Sequence, residues 1–367
     1  MPLIRDITEF LHSIAPPQLQ ESYDNAGLLT GNPEWECRGV LCTLDVTEDV
    51  VGEAINKNIN LIVAHHPIIF RGLKKLTGSG YVERTIIRSI KNDIAIFAIH
   101  TNLDNVFDGV NGRIADLLGL TDRQILSPLE QGLLKLVSFV PHAQLEQVRD
   151  AIFAAGAGTI GQYSECSFSV SGTGTFKGDA DTNPFAGTPG VRHQEPETRF
   201  EVILPSYLQG KVISALISSH PYEEVAYDLV PLANAQPRAG AGIVGNLEKT
   251  MEETELLSLL KDRFRLTLIR HTPLIGRKVN KVAVCGGAGS FLLPKAKAAG
   301  AQVYITADMK YHEFFEADGQ LLVCDIGHFE SEQFTVDLLK EVLEQKFPTF
   351  AVLKSEVKTN PVNYYLG

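Results

Sequence analysis

The chain has no cysteine pair spaced for metal, no long apolar run and no excess of basic charge, and each absence removes a class of function. Its five cysteines, Cys37, Cys42, Cys166, Cys285 and Cys324, include no CxxC spacing, so neither a zinc ribbon nor a disulfide framework is expected. An odd, scattered set suits a reducing compartment. No stretch approaches the roughly 20 apolar residues of a membrane span. The N-terminal MPLIRDITEFLHSIAPP alternates apolar and polar residues at helical spacing, unlike the continuous apolar segment of a secretion signal. A cytoplasmic protein without membrane contact is expected. Lys and Arg total 33 against 44 Asp and Glu, a formal net charge of −11. A broad nucleic-acid surface needs the opposite balance, so nucleic acid is disfavoured as a partner, whereas a small anionic ligand held by a metal is not excluded.

What is present is the rhythm of an α/β protein. The 367 residues suffice for two domains. In the first section, apolar strands at 38–46, 59–66 and 94–102 alternate with helices at 47–58, where Thr47 is a plausible N-cap, and 81–93. Such alternation indicates βαβ units and a largely parallel sheet. The pattern returns near the C-terminus with strands at 281–286, 301–308 and 321–327, helices at 289–300 and 311–319, and a long amphipathic helix at 330–347. Between the two, strand 133–141, helix 142–157, strands 163–176 and 199–205, helix 206–221 and strand 226–232 follow the order βαββαβ of a ferredoxin-like unit. The expected fold is therefore a split α/β domain with mainly parallel sheets, residues 1–128 and 241–367, with a ferredoxin-like α+β domain inserted at 129–240.

Ligands of open α/β sheets bind outside the carboxyl ends of the strands, which selects a short set of residues. His65 and His66, in LIVAHHPIIF (61–70), end one strand. Asp104, in HTNLDN, follows another, and His328 and Glu332, in GHFESE, follow a third and open the last helix four residues apart. Adjacent histidines on a strand point to opposite faces, but at a strand end the backbone turns and both can splay around one site. Three imidazoles and two carboxylates supply ligands for two divalent ions bridged by a carboxylate, the arrangement of dinuclear hydrolases. The donor set suits Zn, Mn, Fe or Co.

AHHPIIF, HTNLD and GHFESE resemble the metal-ligand motifs of the Ngg-interacting-factor-like family, also described as GTP cyclohydrolase I type 2 homologues. The likeness continues through ESYDNAGLLTG (21–31), CTLDVT (42–47) and TADMKYHEF (306–314) and covers essentially the whole chain. The insert is similar to the PII/CutA-like extra domain of the long bacterial members. The resemblance implies that His66 and Asp104 serve one ion, His65 and His328 the other, and that Glu332 bridges. It also implies a homo-oligomer, a ring-like hexamer with the metal sites facing an internal cavity, and a cyclohydrolase-like reaction.

Other candidates are His312 as a proton shuttle, Lys310 as an anion partner, and the turn Gly286–Ser290 as a phosphate cradle, for which close helix–strand packing is an equal reading. Asp45 and Asn102 are candidates for orienting a ligand histidine, and His100 reads as a buried strand residue. The expected function is metal-dependent hydrolysis of a small nucleotide-like or phosphorylated molecule. The alternative is a non-catalytic module for metal binding, delivery or regulation, with a ligand-sensing insert.

Overall fold

A computed structural model describes residues 1–130 and 132–365. Met1–Pro128 together with the chain from Arg238 onward forms one compact unit, and Leu129–Pro237 forms another. In chain order the strands are β1 (Gly27–Thr30), β2 (Val40–Thr43), β3 (Leu61–Ala64), β4 (Ala95–Ala98) and β5 (Leu120–Pro128). The insert holds β6 (Leu133–Pro141), β7 (Ser167–Phe176), β8 (His193–Pro205) and β9 (Tyr227–Pro231). Then come β10 (Gly240–Glu252), β11 (Arg270–His271), β12 (Lys278–Ala288), β13 (Val303–Ala307), β14 (Leu322–Asp325) and β15 (Val352–Lys354).

The first unit contains two sheets. One has the order β1-β4-β3-β2-β15, parallel except for the edge strand β1. Every residue of β2, β3 and β4 is buried, which explains their unbroken apolar sequences: both faces are covered. Leu61 and Val63 face one core with Ile4, Ile7 and Leu11 of the N-terminal helix, while Ile62 and Ala64 face another with Val50, Ala54 and Ile86. Thr47 caps the helix Glu48–Asn56, its hydroxyl accepting from Val50 N–H at 3.3 Å.

The second sheet has the order β11-β14-β13-β12-β10-β5. Only its β12–β13 and β13–β14 pairs are parallel, so the expectation of mainly parallel sheets holds for the first sheet and not for this one. Its other three pairs, β5–β10, β10–β12 and β11–β14, are antiparallel, and β5 and β10 flank the inserted segment. Pro128 and Gly240 are Cα partners in the β5–β10 pair, so the first unit itself brings the two ends of the insertion side by side. Phe107 N–H donates to Arg238 O at 3.0 Å, so the returning chain is paired with the first unit from Arg238 onward. The single helix expected at 330–347 is two, His328–Glu332 and Thr335–Lys346.

Within Leu129–Pro237 the elements run β6, helix Leu145–Ala154, β7, β8, helix Gln209–Ser219, β9. They form an antiparallel sheet of order β7-β8-β6-β9, and both helices pack on one face through Val148, Ile152, Val212 and Leu216. No helix among the described residues is long and apolar enough to cross a membrane.

Candidate metal centre

The carboxyl ends of strands from both sheets of the first unit supply the centre, not one sheet end as the sequence suggested. After β3 the backbone keeps pairing for two more residues, His65 N–H to Thr43 O at 3.2 Å and His66 N–H to Leu44 O at 2.9 Å. Pro67, lacking an N–H, cannot extend the ladder. The two imidazoles then lean apart. His65 Nδ1–H donates to Ile99 O at 2.8 Å, on the β4 side, and His66 Nδ1–H donates to Asp45 Oδ1 at 2.8 Å, on the β2 side. Their ring centroids are 4.9 Å apart. Asp104 ends the single helical turn Thr101–Asp104 after β4, and His328 and Glu332 bracket the turn His328–Glu332 after β14.

Each imidazole is held by its Nδ1, which leaves Nε2 as the free donor atom. His328 Nδ1–H donates to Asp308 Oδ2 at 2.7 Å, so two of the histidines carry the carboxylate support typical of metal ligands. Glu332 is central. Its Oε2 lies 2.9 Å from His66 Nε2, 3.1 Å from His328 Nε2 and 3.9 Å from His65 Nε2. The donor atoms form compact sets that could hold a metal ion: His65 with Asp104 and Glu332, His66 with His328 and Glu332, and His65 with His66 and His100. Two of these sets place His65 with Asp104 and His66 with His328, whereas the family resemblance implied His66 with Asp104 and His65 with His328; Glu332 belongs to both of the two sets.

Two buried atoms make the case for a cation. His65 Nε2 and Asp104 Oδ1 face each other at 3.6 Å, and neither has a hydrogen-bond partner. With its only N–H committed to Ile99, His65 offers a lone pair, and burial lowers its pKa to about 3, keeping it neutral. Burial, joined by the charge of Glu332, pushes the Asp104 carboxyl well above the usual range. A neutral imidazole lone pair and a carboxyl that lacks a counter-charge, both without a hydrogen-bond partner, are a buried pair that a cation between them would satisfy. Around the second set, burial opposes charge on His66 and His328, but hydrogen bonds to Asp45, Asp308 and Glu332 outweigh it. His66 rises to about 9 and His328 to about 11. Burial of Glu332 is likewise outweighed by those imidazoles, which hold its carboxyl well below its ordinary value. Here protons neutralise a carboxylate where a divalent ion could do so.

The centre forms part of the wall of a cavity of about 930 Å³. Among the described residues that line it are four carboxylates, Glu21, Asp45, Asp104 and Glu332, and no lysine or arginine. Tyr23, Phe70, Tyr81 and Phe291 also line it, each at least 45% exposed.

Several sequence candidates stand elsewhere. His312 is exposed, meets the Tyr311 ring edge-to-face with centroids 5.1 Å apart and does not line the cavity. The chain turns away at Asp308, whose φ is +55°, and Lys310 N–H donates to Glu313 in the next turn. Neither His312 nor Lys310 therefore reaches the centre within this chain. In the turn Gly286–Ser290 the Gly286 N–H donates to Asn111 and the Gly287 N–H to Ser331, so these donors are not open to phosphate. Close packing is the reason for the glycines: a Cβ on Gly287 would collide with Glu332 Oε1. Asn102 holds backbone, donating to Ala15 O and accepting from His100 N–H, and orients no ligand ring. Asp45 does hold His66, and is itself held by the Thr359 hydroxyl at 2.7 Å.

His100 is not a strand residue. β4 ends at Ala98, and the His100 ring lines the cavity with Nδ1 on Asp24 Oδ1 at 2.7 Å. Asp24 and Asp308 escaped the sequence reading. Asp308 closes the strand expected at 301–308 and was open to the strand-end rule, whereas Asp24 lies in a loop before β1 with no such signal. Asp45→Ala and Asp308→Ala are each expected to weaken metal binding about 10–100-fold, with Lys310→Ala unchanged, in calorimetric titrations. Equal affinities in all three variants would remove the supporting role from both carboxylates.

Residues 2–361 match the family Duf34/NIF3 (NGG1p interacting factor 3). A GTP cyclohydrolase 1 type 2 homolog of Halalkalibacterium halodurans is 41% identical over 356 residues, covering 95% of each chain. One from Bacillus subtilis is 37% identical over 370 residues, covering 98% of each. A crystal structure of a Bacillus cereus protein related to NIF3 superposes with a TM-score of 0.86 at 38% identity over 99% of each chain. With the match spanning both halves of the split unit and the insert between them, the chain belongs to the Duf34/NIF3 family.

Proposed function

We propose that this chain is a dinuclear divalent-metal hydrolase acting on a small ring-bearing molecule. His65 and Asp104 would hold one ion, His66 and His328 the other, and Glu332 would be shared. The observation that carries the reading is the orphaned pair His65 Nε2 and Asp104 Oδ1 beside a carboxylate common to both donor sets. Zn, Mn, Fe or Co fits these donors, and two such ions supply Lewis acidity and a nucleophile at neutral pH. The chain's own contribution is position and proton handling. His100, backed by Asp24, presents Nε2 to the cavity as a carboxylate-oriented imidazole suited to moving a proton. It takes the part first given to His312.

The cavity also narrows the substrate. No lysine or arginine is among the described lining residues, so a phosphorylated substrate would be held by the two ions themselves rather than by basic side chains. The exposed rings of Tyr23 and Phe70, 6.3 Å apart, suit stacking on a planar group.

A second reading, metal delivery, is favoured by a second opening. His66 and His328 also line a cavity of about 460 Å³ with the carboxylates Asp45, Asp308, Asp325 and Glu330 against Arg270, which pairs with Asp325, a largely acidic route to the same ligands. Metal analysis of the purified protein, followed by a screen of nucleosides, cyclic amides and phosphoesters with each reconstituted form, tests both. Two ions per chain and turnover that is lost on chelation and restored by one of the four metals support the hydrolase. Two ions that pass to an acceptor chelator without any turnover would replace it with delivery.

A further inference from the structure

We propose that Leu129–Pro237 carries a binding site for a small organic cation, of the alkylammonium class. Its cavity, about 670 Å³, is lined entirely by residues of this unit. One wall is aromatic: Phe176 and Phe185 lie with ring centroids 5.8 and 6.1 Å from that of Tyr222, and all three rings line the space. Beside them stands Glu197, 7% exposed, whose Oε1 accepts from the Tyr222 hydroxyl at 2.7 Å. Strand β7 makes room for that carboxylate with Gly174, where a Cβ would collide with Glu197 Oε2. The loop carrying Phe185 is tied down by Asn183 N–H, which donates to Glu223 at 3.1 Å.

Aromatic faces and a buried carboxylate share one preference. The ring quadrupole attracts a cation, and a carboxylate taken out of water with a single hydroxyl partner is stabilised by an opposite charge. Three carboxylates, Glu197, Glu223 and Glu224, line the cavity against Lys177 and Arg199. Arg199 is already engaged, its Nε 2.9 Å from Glu201 Oε1. The balance favours a cation over an anion, and the rings favour an alkylated one over a hydrated metal.

Calorimetry on the full chain with choline, its neutral isostere 3,3-dimethyl-1-butanol and inorganic phosphate tests this. Choline is expected to bind saturably, with the isostere at least about 10-fold weaker. Glu197→Gln, which can keep the Tyr222 hydrogen bond, is expected to weaken choline by a similar factor while the melting temperature holds. Phe185→Ala, on an exposed loop where folding is not at stake, should cost roughly 3-fold. No saturable choline binding, equal binding of the isostere, or a preference for phosphate overturns the proposal.

Discussion

Glu332→Ala is expected to strip the protein of both ions at once. Glu332 Oε2 lies within 4 Å of three imidazole Nε2 atoms, at 2.9, 3.1 and 3.9 Å, so its loss removes a ligand from each proposed coordination sphere. Loss of an outer carboxylate costs about 10–100-fold in affinity, and loss of a shared ligand should exceed that for each ion. His66→Ala removes one imidazole from one set and should weaken mainly one equivalent. Metal analysis after dialysis against a weak chelator distinguishes the two variants, with a single melting transition as the check on folding. Two equivalents retained by Glu332→Ala at unchanged affinity would refute the bridge.

Gly287→Ala should weaken both ions as well, to a smaller extent and without replacing a ligand. Gly287 has φ +61°, and a Cβ there would collide with Glu332 Oε1 and come within 3.4 Å of His328 Cε1. Its N–H is fixed by Ser331 at 3.0 Å, which limits how far the backbone can withdraw. The left-handed conformation adds about 1–2 kcal/mol for an L-residue, a fraction of the 5–15 kcal/mol typical of a folded domain. The variant should therefore fold, melt a few degrees earlier and bind both ions about 10–100-fold more weakly, in line with a displaced but present carboxylate. Wild-type affinity in this variant would mean that Glu332 can relax out of the way, and that the glycine serves only the turn.

The sequence was most informative where one strand or one turn decides the outcome. Unbroken apolar runs at β2, β3 and β4 announced strands covered on both faces, and Thr47 announced the start of its helix, because those signals are local. The same locality exposed the five ligand candidates: a histidine pair closing an apolar strand, an aspartate one turn after another, and a histidine and glutamate four residues apart. What tertiary structure alone decided was their grouping. His65 Nε2 faces Asp104 and His66 Nε2 faces His328, because each imidazole is turned by a partner far along the chain, Ile99 for His65 and Asp45 for His66. His100 entered the site for the same kind of reason, through Asp24, 76 positions away. The antiparallel pair β5–β10 joins segments on either side of the insert, and neither strand alone shows which neighbour it will take. His312 left the site because the turn at Asp308 points the following residues outward, and no periodicity reports a turn's direction. Residue type and spacing identify which groups can bind a metal; side-chain orientation, set by contacts distant in sequence, decides which of them come together.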